Sequence, residues 1–117
     1  VTEDVISAYA AELEKKGVLR CPCLPKGICH NAHIFYILFN DGQQRNRMMS
    51  LLKAEGYQAV FHYIPLDNSH AGRKYCNLSK SCSNTYMLSN CLLRMPLFYE
   101  LPDETIYNIY EVINNAN

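Results

Sequence analysis

The chain has 117 residues, 49% of them hydrophobic and 19% charged, with eleven basic and eleven acidic side chains. That is one domain of ordinary globular composition, able to bury roughly two thirds of the surface its unfolded chain would expose. Balanced charge excludes the basic footprint of a nucleic-acid binder, and the longest apolar run, residues 34–39, is too short to cross a bilayer.

Val5, Ile6, Tyr9, Ala10 and Leu13 recur at helical spacing, which predicts a helix over residues 2–16 with Gly17 as its stop. Glu3 and Asp4 lie where a signal peptide would carry positive charge, so the start does not read as one. Val1 opens directly into the helical pattern without an initiator methionine, as in a piece cut from a longer protein. Pro22, Pro25 and Gly27 then set a loop over residues 21–31.

Residues 33–39 are apolar on both alternations and rich in β-branched and aromatic side chains, the pattern of a central strand covered on both faces. Asp41 caps a following helix, with Gln44 in the capping-box position, Met48, Leu51 and Leu52 on its apolar side and Gly56 at its close. Residues 58–65 read as a second strand that Pro65 ends, because proline cannot donate to a ladder. Residues 67–83 are polar and loop-like, with one helical turn around residues 71–75. Residues 84–93 fit a helix with Met87, Leu88, Cys91 and Leu92 inward, and residues 94–97 a short strand. Pro102, Asp103 and Glu104 open a last helix whose stripe is Ile106, Ile109, Tyr110 and Ile113. The expected fold class is α/β (α+β): one domain over residues 1–117, a small sheet of about three strands packed with helices.

Chemistry is sparse. Cys21, Cys23, Cys29 and His30 crowd one loop, but zinc sites pair ligands two to four residues apart and repeat the pair. Cys21 and Cys23 are separated by one residue and no matched pair follows, so no metal site is expected. Several of the six cysteines occupy apolar positions of periodic segments, which favours reduced thiols. His30 and His33 flank the first strand and read as hydrogen-bonding groups at its edge. His62 lies near the C-terminal end of the second predicted strand, where small α/β domains present side chains to ligands. A ligand-facing histidine and a hydrogen-bonded core histidine fit that position equally. Strand alternation would put His62 and Tyr63 on opposite faces. His70, Arg73 and Lys74 follow, a basic loop that suits an anionic group or plain solvent.

The segments Asn31-Ala32-His33-Ile34-Phe35-Tyr36-Ile37, Ala59-Val60-Phe61-His62-Tyr63-Ile64-Pro65-Leu66, Ala71-Gly72 and Leu93-Arg94-Met95-Pro96-Leu97-Phe98-Tyr99 carry a further signal. In order and spacing, with the final helix, they resemble the C-terminal third of DegT/StrS-type sugar aminotransferases. The resemblance covers nearly the whole chain and extends to members that aminate dTDP-4-keto-6-deoxyglucose for cell-surface polysaccharide. It implies the small domain of a fold-type I enzyme, joined through residues 1–17 to a large domain that mainly binds pyridoxal 5'-phosphate. It implies glutamate as donor, a 4-keto nucleotide sugar as acceptor, a cytoplasmic homodimer, and neither nucleic acid nor membrane as partner. The family's Schiff-base lysine precedes the matched region and has no counterpart among Lys15, Lys16, Lys26, Lys53, Lys74 and Lys80. No catalytic residue is therefore expected in this chain, which alone should be inactive.

The family's His-Tyr pair maps onto His62 and Tyr63, which with Asp67 and Arg73 are expected near substrate or cofactor. Relatives often continue Pro-Leu-His where this chain has Pro65-Leu66-Asp67, and a carboxylate repels a diphosphate. His70 stands where relatives tend to have proline. Two other readings make distinct predictions. A stand-alone binding module of the same fold would be stable by itself. A small zinc domain would unfold on chelation. A piece of a larger interface should expose apolar surface and self-associate or bind a hydrophobic dye.

Overall fold

A computed structural model describes residues 2–77 and 82–116. The first helix, α1 (Thr2–Lys15), buries Ile6, Ala10 and Leu13 along one stripe. It ends where Gly17 adopts φ 72°, a left-handed conformation that costs glycine little. There the Val18 N–H reaches back to the Leu13 carbonyl (3.3 Å) and the Gly17 N–H to that of Glu14 (2.9 Å), satisfying two carbonyls the helix leaves open.

Two residues later comes β1 (Leu19–Arg20), a strand that the sequence reading had not expected. A two-residue strand offers no periodicity to read. It pairs antiparallel with β2 (Tyr36–Phe39), Leu19 opposite Phe39. On its other side β2 pairs antiparallel with β3 (Leu92–Arg94), with Tyr36 opposite Arg94 and Ile37 opposite Leu93. The sheet order is β1-β2-β3, so residues 36–39 are the centre of the sheet as expected. Strand pairing begins at Tyr36 rather than at residue 33, and the two faces differ. Ile37, Phe39 and Leu93 are buried, while Tyr36, Leu38, Leu92 and Arg94 are half-buried on the other face.

The expected strand over residues 58–65 does not form. Only Val60 touches the sheet, through a bridge to Arg94 with N···O distances of 2.8 and 3.2 Å. Val60, Phe61, Tyr63 and Ile64 are exposed. Their β-branched and aromatic composition gave the strand pattern, but the chain leaves the edge after one residue and the remaining N–H groups find no ladder. The strand expected over residues 94–97 is instead residues 92–94. Among the described residues the sheet thus has three strands, one of them different from those expected.

Helix α2 (Gly42–Ala54) is capped as expected: the Asp41 carboxylate accepts from the Gln44 N–H at 2.7 Å. The Gln44 side-chain oxygen accepts from the Asn40 N–H, one residue before the cap. Gly56, at φ 87°, closes the helix as Gly17 closes α1. A 3₁₀ turn (Leu66–Asn68) leads into α3 (His70–Tyr75), capped by Ser69. Helix α4 (Ser83–Cys91) runs into β3 with no loop between them. Cys91 is buried as expected, but Met87 and Leu88 are 54% and 40% exposed, which corrects their inward placement. Helix α5 (Asp103–Asn115) buries the predicted Ile106, Ile109, Tyr110 and Ile113.

The core lies on one face of the sheet, under α1, α2 and α5. Helices α1 and α5 pack side by side, and Tyr9 stacks on Tyr110 with ring centroids 5.2 Å apart. The Tyr110 hydroxyl donates to the Ile6 carbonyl at 3.0 Å. Among the described residues the one buried charge is Arg45, on α2. Its guanidinium donates to the Leu92 carbonyl (3.2 Å) and the Ser89 carbonyl (3.5 Å). It therefore serves open carbonyls at the end of α4, where a cation is favoured, and ties α2 to the α4–β3 junction. Burial pushes its pKa below the ordinary arginine value.

Candidate functional site

The face of the sheet turned away from the core carries a cleft of about 300 Å³, lined by His30, Asn31, His33, Ile34, Tyr36, His62, Leu92 and Arg94. Its floor follows from the strand register. Tyr36 and Arg94 are direct cross-strand partners, so alternation sends both to the face opposite Ile37 and Leu93.

One wall is the turn before β2. The Ala32 N–H donates to His30 Nδ1 at 3.0 Å, and the His33 N–H donates to the Asn31 side-chain oxygen at 3.2 Å. Ala32 holds φ 52°, a left-handed conformation unusual for a residue with a Cβ. With Nδ1 accepting, a neutral His30 carries its proton on Nε2. The other wall is His62, two residues beyond the Val60 bridge. Its Nδ1 is shielded from solvent and has no hydrogen-bond partner among the described residues. An orphaned polar atom of this kind costs about 1–3 kcal/mol unless a ligand or water meets it.

The residues expected near substrate divide between two places. His62 lines the cleft. Tyr63 is exposed, its ring tilted against that of His62 at a centroid distance of 4.4 Å. Because residues 61–64 are not a strand, alternation does not separate the two rings. Asp67 is half-buried in the 3₁₀ turn. Arg73 is on α3, donates to the Asn68 side-chain oxygen, and lines a separate shallow depression with Asn68, His70 and Lys74. Arg94, Tyr36 and Asn31 were not singled out from the sequence. Finding Arg94 would have required knowing that residue 94 lies opposite residue 36.

The other chemistry is quiet. Among the described residues no group of three or more His, Cys, Asp or Glu side chains is placed to hold a metal ion. Burial pushes the Cys21 thiol up to about 11, with the Glu14 carboxylate adding to the rise, so it is a poor nucleophile at neutral pH. No described helix is long and apolar enough to cross a membrane. Lys15, Lys16, Lys26, Lys53 and Lys74 are all exposed. A lysine that holds a carbonyl cofactor sits in a desolvated pocket that lowers its pKa. The described residues therefore do not by themselves make a pyridoxal-phosphate pocket, and no step through that cofactor follows from this chain.

The sequence profile of the DegT/DnrJ/EryC1/StrS aminotransferase family matches residues 2–114. The chain belongs to this family. Solved structures share the fold of this family domain at low identity. The aminotransferase TlmJ from Streptoalloteichus hindustanus is 22% identical, with a TM-score of 0.82 over 97% of this chain and 30% of its own. Helicobacter pylori PseC, an aminotransferase involved in pseudoaminic acid biosynthesis, is 17% identical, with a TM-score of 0.80 over 97% of this chain and 31% of its own. The pyridoxal-phosphate form of Spr1654 from Streptococcus pneumoniae, described as a sugar aminotransferase, is 18% identical with a TM-score of 0.78. It is covered over 30% of its length and covers 97% of this chain. The family domain described here thus spans about three tenths of each of these proteins.

Proposed function

We propose that the chain is the C-terminal small domain of a pyridoxal-phosphate-dependent nucleotide-sugar aminotransferase. The reaction moves an amino group from glutamate to the 4-keto carbon of dTDP-4-keto-6-deoxyglucose, for cell-surface polysaccharide, in a cytoplasmic homodimer. The observation that carries this reading is the family profile, which runs through nearly the whole chain. The large domain supplies the cofactor lysine and the chemistry of amino transfer.

The residues of this chain bind and orient. His62 and Tyr63, ring against ring, form an aromatic edge toward the sugar nucleotide. Arg73, with His70 and Lys74 beside it, offers positive charge to the diphosphate. Asp67, half-buried in the turn between them, keeps the anion on the Arg73 side. Phe61, Ile64 and Leu66 are 47%, 60% and 84% exposed, apolar surface of the kind a neighbouring domain covers and dries. With every described lysine exposed, the chain alone is inactive.

The test is to read the coding sequence on the N-terminal side, express the whole encoded protein, and follow amination of the 4-keto sugar nucleotide by mass spectrometry. Activity in the whole protein and none in this chain is expected. A whole protein inert toward every 4-keto sugar nucleotide would sink the reading. So would borohydride reduction that fixes pyridoxal phosphate on a lysine of this chain.

A further inference from the structure

On the side of the sheet opposite the cleft, α1 and α5 enclose a groove of about 330 Å³ that changes character along its length. At one end Tyr9 of α1 meets Tyr107 of α5. At the other, the Lys16 ammonium donates to the Asn114 side-chain oxygen at 3.0 Å. On each helix these positions are seven residues apart, two turns, so the two ends of the groove are separated by about 10 Å. Glu12 and Glu111 line the stretch between them. The groove therefore runs from an aromatic end, past two carboxylates, to an end closed by a hydrogen bond.

The aromatic end has the walls of a cation site. The Tyr9 and Tyr107 rings stand at 82° to one another with centroids 5.0 Å apart, and Tyr110 stacks on Tyr9. The face of such a ring is the negative pole of its quadrupole and attracts a cation. The carboxylates supply a counter-charge. Glu12 is held by Lys15 at 2.7 Å, whereas Glu111, one turn beyond Tyr107, has no salt-bridge partner among the described residues. The Tyr9 phenol is pushed up to about 12, first by its hydrogen bond with Tyr107, then by burial and by the fields of Tyr107 and Glu111. Glu111 is therefore near enough to act on the corner that the two rings make. The groove's own ammonium, on Lys16, is tied down two turns away, about one screening length in physiological salt.

We propose that this corner binds a small alkylated ammonium ion, held against the rings of Tyr9 and Tyr107 with the Glu111 carboxylate as its counter-ion. The buried Leu13 and Tyr110 give the groove an apolar lining for the alkyl groups. An alkylated ammonium suits such a site better than a sodium ion, because a ring face replaces the water of a weakly hydrated cation at little cost. The volume is at the lower end of small-ligand sites, which fits a ligand of a few heavy atoms. None of these residues has a role in the transaminase reading, and the site stands whatever reaction the whole protein performs.

The experiment is an NMR titration of the 117-residue chain with ¹³C-labelled tyrosine rings. The probe is tetramethylammonium chloride, against sodium chloride at matched ionic strength and against tert-butanol, a neutral molecule of similar size and shape. Saturable shifts of the Tyr9 and Tyr107 ring signals are expected with tetramethylammonium alone, with Tyr75, on α3, as an internal control. Tyr107→Leu keeps an apolar side chain but removes one ring face, and should weaken binding roughly fivefold or more. Glu111→Gln, at an exposed position, should also weaken it and decides the matter if Tyr107→Leu does not fold. The proposal is overturned by the absence of a saturable shift, by equal shifts with tert-butanol or sodium chloride, by a Tyr75 signal that moves in step with the others, or by a folded variant of either kind that binds like the parent. None of those results bears on amination by the whole protein, which is read separately.

Discussion

Replacing Gly72 by alanine should unfasten one corner of the molecule while leaving its core intact. Gly72 is buried inside α3, and a Cβ there would lie 1.6 Å from the Leu66 carbonyl oxygen, roughly half an ordinary contact distance. In an open helix the same change would gain about 1 kcal/mol. Here it pushes apart the cap that links the turn to the helix. The Ser69 hydroxyl donates to the Leu66 carbonyl (2.7 Å) and accepts from the Gly72 N–H (2.9 Å), and the Ser69 N–H also reaches Leu66 (3.2 Å). Three hydrogen bonds at about 1 kcal/mol each, set against the propensity gain, leave a net loss of about 2 kcal/mol. Helix α3 packs chiefly on that turn, so the loss appears as local opening rather than global unfolding. Hydrogen exchange is the assay. The Arg73 and Cys76 amides, bonded to Ser69 and Gly72 carbonyls, should exchange about thirtyfold faster, with the amides of β2 unchanged. Unchanged or slower exchange at Arg73 and Cys76 would refute the argument.

Other positions give equally direct tests. Arg45→Met keeps the apolar stem but leaves the Ser89 and Leu92 carbonyls without their donor, and should cost about 1–3 kcal/mol in urea denaturation. Tyr110→Phe removes the bond to the Ile6 carbonyl and should cost about 1 kcal/mol. Burial, reinforced by the field of Cys21, holds the Tyr110 phenol above its ordinary value. The unfolded chain therefore releases this proton first, so Tyr110 favours the fold fully below about pH 10 and loses that contribution as pH rises further. A parent and a Tyr110→Phe variant with the same alkaline slope would contradict this. Ala32→Gly relieves a left-handed residue and should raise the melting midpoint slightly, by up to about 1 kcal/mol of stability.

Helices were the legible part of this sequence. Asp41, Gly17, Gly56 and the α5 stripe declare themselves locally, through capping chemistry and a 3.6-residue period. Strands were less so, because pairing depends on residues far along the chain. Residues 58–65 have the composition of a strand, yet residue 60 alone reaches an edge. Residues 19–20 have no pattern and still complete the sheet. The cleft shows the same limit. His62 and the histidines before β2 were visible as candidates, whereas Arg94 joins them only through the antiparallel register of β2 and β3. The Met87 and Leu88 positions failed for another reason: apolar spacing predicts a buried stripe, but spacing alone does not say that a neighbour covers it, and both side chains are exposed.

The pairing of α1 with α5 also has a consequence for biosynthesis. The Tyr110 hydroxyl and the Ile6 carbonyl it contacts are 104 positions apart, and Lys16 meets Asn114 across 98. A ribosome makes α1 long before the surface that covers it exists. Its apolar stripe must wait, in solvent or in the care of a chaperone, until almost the last turn of α5 emerges. Loop closure over such a span is only modestly dearer than over half of it, about 0.6 kcal/mol, so the delay is set by translation rather than by chain entropy. Once closed, the two ends of the domain are neighbours, and a circularly permuted chain cut within the exposed loop at residues 23–29 would start its core with both helices already joined.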